Sequence, residues 1–162
     1  MLASQIELLQ RMPVFGAIRA EVLEFLLGHA EQRRVAQGEW FVREGEIGDR
    51  MYVLESGRVA IVKGWQGRDV LLNHLNAGDC FGEMALMDLH PRSASVLAET
   101  DCCAIQLTPD HLMRLYERDL EQFTLIQMNI GREVCRRLRM TDDLLFRIRM
   151  GETLKPVALG AE

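Results

Sequence analysis

The chain has no run of about 20 apolar residues, which excludes a helix that crosses a bilayer. The start, MLASQIELLQRM, has no long apolar core and carries Glu7 early, so no signal peptide is expected and a cytoplasmic location is. Cysteine is sparse: Cys80, Cys102, Cys103 and Cys135 form no CxxC pair. Adjacent Cys102 and Cys103 point to opposite faces of a strand, so they suit neither a metal cluster nor a disulfide framework. Cys103 is expected in the core and the others as reduced thiols. The histidines, His29, His74, His90 and His111, are scattered with no HxH or HExxH spacing, which argues against a metal-dependent enzyme. Positive charge is also short: the formal net charge is −5, a poor match for a broad nucleic-acid footprint. No internal repeat or low-complexity segment is present.

What is present suits one domain. The 162 residues are enough for a sizeable core, and 48% apolar content is ordinary for a globular protein. Residues 1–30 read as a helical segment. Ser4 suits the cap of a short helix through Gln10, Pro13 interrupts it, and Ile18, Val22, Phe25 and Leu26 mark a second helix ending near Gly28. From about Arg33 to Leu107 the period becomes two. Val59 and Ile61 alternate with Arg58 and Ala60. Val70 and Leu72 alternate with Leu71 and Asn73, which suggests a strand covered on both faces. Cys103, Ile105 and Leu107 share a face. Glycines at 38, 45, 48, 57, 64, 67 and 78 punctuate these strands, and Gly57 suits the positive φ of a hairpin turn. The pattern is that of an antiparallel sandwich or jelly roll.

Thr108 and Pro109 open a helix as cap and first-turn residue. A long helix is expected over 119–150. Phe123, Ile126, Ile130, Val134, Leu138, Leu145 and Ile148, with Thr141 filling one place, make a narrow stripe at steps of three and four. A helix packing on its own sheet shows such a stripe too. A homodimer seam is favoured because the helix outlasts a domain this small. The tail 151–162 has no periodicity and is expected to be a flexible end.

The segment FGEMALMDLHPRSA, residues 81–94, interrupts the β region with a short helical turn. Gly82, lacking a Cβ, lets the backbone come close to a ligand. The amides of Met84 and Ala85 open the turn, where unpaired N–H groups attract anions. Arg92 offers a planar fork for two phosphate oxygens. Glu83, ionised, only accepts hydrogen bonds and suits a ribose 2′-hydroxyl. Ser93 adds a hydroxyl beside the arginine, and Ala94 is the second small residue that follows it.

FGEMAL followed by PRSA resembles the phosphate-binding cassette of cyclic nucleotide-binding domains, found in catabolite activators, kinase regulatory subunits and nucleotide-gated channels. EGEIGDRMYVLESGRVAIV and LNAGDCFGE are similar to neighbouring parts of that domain. The resemblance covers about residues 15–141. It implies a mainly β fold with flanking helices: an antiparallel β-roll or jelly roll with N-terminal helices, a short phosphate-binding helix and a long C-terminal helix. The β-roll is expected over 31–118, with the long helix at 119–150 as lid or dimer helix.

The resemblance also implies roles. Glu83 is the ribose-binding acid and Arg92 the phosphate-binding arginine, while Gly82, Met84, Ala85, Ser93 and Ala94 form the contacting turn. RRLRMTDD is similar to the stretch of the catabolite activators where a threonine reaches the base, which assigns that contact to Thr141. Asp142 stands where the activators carry serine, a departure from the pattern. The expected ligand is cyclic AMP in preference to cyclic GMP, with no other cofactor and no metal. The expected function is a sensor without enzymatic activity, signalling to an unknown partner through its last helix. The alternative is a structural module that keeps the fold without the ligand. Arg132, Arg136, Arg137 and Arg139 read as a solvated helix face. About a dozen residues follow the helix, so the chain alone is not expected to bind DNA.

Overall fold

The computed structural model describes residues 2–153. Helix α1 (Leu2–Gln10) leads through a 3-10 turn at Pro13–Phe15 to α2 (Ala20–His29). Eight strands follow: β1 (Glu31–Val35), β2 (Trp40–Val42), β3 (Met51–Ser56), β4 (Arg58–Trp65), β5 (Arg68–Asn76), β6 (Cys80–Phe81), β7 (Ser95–Ala98) and β8 (Cys102–Leu107). Helix α3 (Glu83–Asp88) lies between β6 and β7, and α4 (Pro109–Arg118) and α5 (Leu120–Arg149) close the chain.

The strands form two antiparallel four-stranded sheets, ordered β1-β8-β3-β6 and β2-β7-β4-β5. Because side chains alternate along a strand, β3 feeds two cores. Met51 and Val53 pack with Ile105, Leu107 and the helices. Tyr52 and Leu54 pack with Val59, Phe81 and Ala104 between the sheets. In that inner core the rings of Phe41, Tyr52 and Phe81 lie within 5.1–5.6 Å of one another. Gly57 joins β3 to β4 at φ +91°, and a Cβ there would stand 2.5 Å from the carbonyl oxygen of Asp101.

Thr108 caps α4 by accepting from the amide of His111, and Asp119 caps α5 by accepting from that of Gln122. The first half of α5 docks on the N-terminal segment through buried Ile126 and Ile130. Asn129 Nδ2 donates to the carbonyls of Val14 and Gly16, at 3.2 and 2.9 Å. From Leu138 to Met150 every residue of the helix end is exposed.

Four expectations are corrected. Ser4 lies inside α1, since the helix already includes Leu2. β5 is an edge strand with one sheet neighbour, so Val70 and Leu72 are exposed, not covered on both faces. Cys102, not Cys103, is in the core. β8 is a central strand, and Cys102 faces the inner core while Cys103, on the opposite face, is half-buried with its Sγ 3.5 Å from Glu55 Oε2. The stripe on α5 is not one seam: Ile126 and Ile130 belong to this chain's own core, and only the part from Leu138 onward is uncovered. Most of the expected tail, residues 154–162, lies outside the described residues.

Candidate functional site

The turn between β6 and β7 is built around Gly82, which takes φ +83° and caps α3. A side chain there would meet the backbone oxygen of Arg50 at 2.8 Å and Arg92 Nη1 at 2.7 Å, so only glycine fits. Leu89, also left-handed at φ 58°, ends α3, and the chain returns through Pro91 and Arg92 to β7.

Arg92 is 6% exposed. Its Nη1 points at the carbonyl of Gly82 over 3.4 Å, and the guanidinium lies 5.9 Å from the centre of the Tyr52 ring. Its Nε and Nη2 edge abuts Gly48, where a Cβ would come within 2.6 Å. The guanidinium is thus a plate held between two glycines. It has no carboxylate partner among the described residues, and burial pushes its pKa below the ordinary arginine value.

Glu83 is 2% exposed. Its Oε1 accepts from Arg137 Nη1 at 2.6 Å. Its Oε2 is buried with no hydrogen-bond partner among the described residues. Arg137 also donates to the Cys80 carbonyl at 2.8 Å and to Glu133 Oε1 at 3.0 Å. Glu133 takes two further bonds from Arg136, at 2.6 and 2.9 Å. The bond from Arg136 holds the Glu133 pKa below the usual carboxylate value against the opposing effect of burial, and the Arg137 charge adds to it. Burial alone would lower Arg137, but the charges of Glu83 and Glu133 leave its pKa above the ordinary value. The Cys80 thiol is pushed up to about 12 by burial and then by Glu83, so it stays protonated.

The turn therefore brings together Gly82, Glu83, Ala85 and Arg92. Ala85 is buried, Met84 is half exposed, and Ser93 Oγ lies 4.0 Å from Met84 Sδ. Ala94 is half-buried. Thr141 is not brought there: it is exposed, and its hydroxyl donates to the Arg137 carbonyl one turn back. Sequence reasoning missed Arg137 and Glu133. Arg137 is no part of a solvated face, because it is pinned by Glu83. The available signal was Glu133 three and four residues before Arg136 and Arg137, the spacing at which helical side chains meet.

This chemistry, a buried unpaired guanidinium beside a buried carboxylate with one free oxygen, suits an anion that also carries a hydroxyl. Comparisons with known proteins identify the family. The Cyclic nucleotide-binding domain family matches residues 32–119. The chain is 31% identical over 133 residues to the Cyclic AMP receptor protein of Thermus thermophilus, covering 80% of this chain and 59% of that protein. It is equally identical over 145 residues to the CRP-like cAMP-activated global transcriptional regulator of Mycobacterium tuberculosis, covering 86% and 63%. The chain thus spans about three fifths of the length of these curated relatives. The Catabolite Activator Protein of Thermus thermophilus superposes with a TM-score of 0.75 at 29% identity, over 85% of this chain and 63% of that one. A cyclic nucleotide-binding domain from Methylobacillus flagellatus superposes at 0.80 with 21% identity, over 96% of this chain and 86% of that one, a likeness of fold. No helix among the described residues is long and apolar enough to cross a membrane. By the match over residues 32–119, the chain belongs to the cyclic nucleotide-binding domain family.

Proposed function

We propose that this chain is a cyclic nucleotide sensor, with cyclic AMP preferred to cyclic GMP, acting in the cytoplasm and without catalysis of its own. The observation that carries the proposal is the Oε2 of buried Glu83, without a partner among the described residues and next in the chain to the glycine that holds buried Arg92. Oε2 takes the ribose 2′-hydroxyl, Arg92 takes the cyclic phosphate, and the amides of Met84 and Ala85 with Ser93 complete the anion's shell. Ala94 leaves room beside it. Thr141 reaches the base only if the distal part of α5 shifts toward the cassette, since its hydroxyl is now used within the helix. The named activities of the curated relatives, cyclic AMP reception and transcriptional activation, support the ligand class.

The output passes through α5. Its 30 residues extend about 45 Å, and the end carries exposed Leu138, Leu145, Phe146 and Ile148. An isolated helix end of this kind is marginal in water, so a second copy of the chain covers it. The protein that reads the signal is unidentified, and no DNA contact is assigned to this chain.

Isothermal titration with cyclic AMP and cyclic GMP tests the reading. Binding is expected, tighter for cyclic AMP, with Arg92→Ala costing about 2–5 kcal/mol by analogy with truncating one side of a buried charge pair. Equal affinity in the variant would remove Arg92 from the site. An unchanged melting temperature at millimolar nucleotide would assign the chain to ligand-free structural modules, because a ligand that binds the folded state must stabilise it.

A further inference from the structure

A cavity of about 360 Å³ opens between β1, β2 and the loop 43–50. Of the residues assigned to the cassette only Arg92 lines it, and nothing from α3, β4, β5 or α5 does. Its walls hold four guanidinium groups, Arg33, Arg43, Arg50 and Arg92, against the carboxylates of Glu46 and Asp49. In a chain of net charge −5 this local excess of positive charge runs against the average.

The two carboxylates offset only part of the charge of the four arginines. Asp49 accepts from Arg50 at 3.3 Å, and Glu46 is engaged by the backbone amide of Arg43 at 3.0 Å. Among the described residues Arg33 donates to the Tyr52 hydroxyl alone, at 3.1 Å, and lies over the Phe41 and Tyr52 rings at 5.8 and 5.7 Å. Arg43 stacks on Trp40 at 4.2 Å. Aromatic faces hold both forks in place, and apart from the Arg33–Tyr52 bond their N–H groups have no partner among the described residues, so little rotamer freedom is lost when an anion arrives. Arg92, nine-tenths buried and without a carboxylate partner among the described residues, presents its Nε and Nη2 edge at Gly48 in the cavity wall, while Nη1 faces Gly82.

We propose that this cavity is a second anion site, for a compact phosphoryl or polycarboxylate compound with at least two negative charges, and that it opposes the cassette through the shared guanidinium of Arg92. An anion in the cavity and one in the cassette repel each other across the one guanidinium that borders both, and each weakens the other by the same factor, as linkage requires. The coupling rests on the cyclic nucleotide reading, but the site itself does not.

Pyrophosphate is the probe, titrated calorimetrically into the full chain at constant ionic strength. One-to-one binding is expected. Arg43→Ala and Arg33→Gln should each weaken it about tenfold or more, the loss of one charge-assisted fork, while Glu83→Ala leaves it intact. Arg43→Lys, which keeps the charge and loses the fork, should fall between. Circular dichroism of each variant guards against misfolding. In a second arm, saturating pyrophosphate should weaken cyclic AMP binding several-fold in the parent and not in Arg43→Ala. Pyrophosphate binding untouched by Arg33 and Arg43 yet fully competitive with cyclic AMP would place the anion in the cassette and overturn the proposal. Absence of binding by both pyrophosphate and citrate would overturn it as well. Binding that needs Arg33 and Arg43 in a chain that ignores cyclic AMP would uphold the site and sink the cassette reading instead.

Discussion

Arg137 ties the long helix to the cassette, and truncating it should cost more than any other surface-reaching side chain. In Arg137→Ala, Glu83 loses its partner at Oε1 while Oε2 already has none among the described residues, so a carboxylate that is 2% exposed is left uncompensated. Removing one side of a buried ion pair costs about 3–5 kcal/mol. The Arg137 side chain is 33% exposed, so water reaches part of the space it leaves, which moves the cost to the lower end. Glu133 keeps its two bonds from Arg136. The Cys80 carbonyl loses a donor, which adds about 1 kcal/mol.

The expected total is about 3–4 kcal/mol at neutral pH, or a fall in Tm of roughly 6–16 °C for a domain of this size. Urea unfolding followed by the fluorescence of Trp40 and Trp65 measures it, at several protein concentrations so that self-association does not enter the comparison. The decisive step is the second background. In Glu83→Gln no buried charge is stranded, so the same truncation should cost about 2 kcal/mol less. Equal costs in the two backgrounds would show that Arg137 acts through packing alone and that its bond to Glu83 contributes nothing.

Glu133 supplies a pH signature. Its pKa is held below the ordinary 4.5, chiefly by the Arg136 bond, so its stabilisation is present above that value and is lost as pH falls through the lower, folded value. The stability gap between the parent and Glu133→Gln should be level near neutral pH and close in acid, and a gap independent of pH would refute the pairing. Gly57→Ala should cost about 2 kcal/mol or more, because left-handed strain adds to a Cβ 2.5 Å from a backbone oxygen. Gly67→Ala, at φ +77° with nothing within 4 Å, should cost only the strain, about 1–2 kcal/mol, and equal losses in thermal unfolding would refute the distinction. Leu145→Glu, on the uncovered end of α5, should convert a dimer into a folded monomer by sedimentation, and an unchanged mass would refute a second copy covering that face.

The β-roll was legible because its signals are local. Period-two strands, the positive φ at Gly57 and the Thr108-Pro109 helix start each follow from neighbouring residues, and each is found where it was expected. The errors arose where a strand's surroundings decide the matter. Val70 and Leu72 read as a covered strand, yet β5 has a neighbour on one side only, and edge position is a property of sheet order that alternation does not record. Cys102 and Cys103 were certain to face opposite ways, but which face meets the inner core depends on β1 and β3, distant in sequence and paired on either side of β8.

Within the candidate site the cassette residues were legible as a compact motif, and their partners on α5 were not. Hydrophobic spacing said that the helix has a sticky face without saying whose surface it meets, so one stripe stood for two. The division falls at Arg137. Before it, Ile126, Asn129, Ile130 and Glu133 are buried in this chain, and beyond it every residue through Met150 is exposed. An arginine among arginines looked solvated because its acid, Glu83, lies 54 residues away. The same contact places the carboxylate assigned to the ribose hydroxyl at the point where α5 leaves the domain. Under the proposed function, a ligand that bonds to Glu83 would act on the Arg137 side chain, and through it on the exposed end of α5.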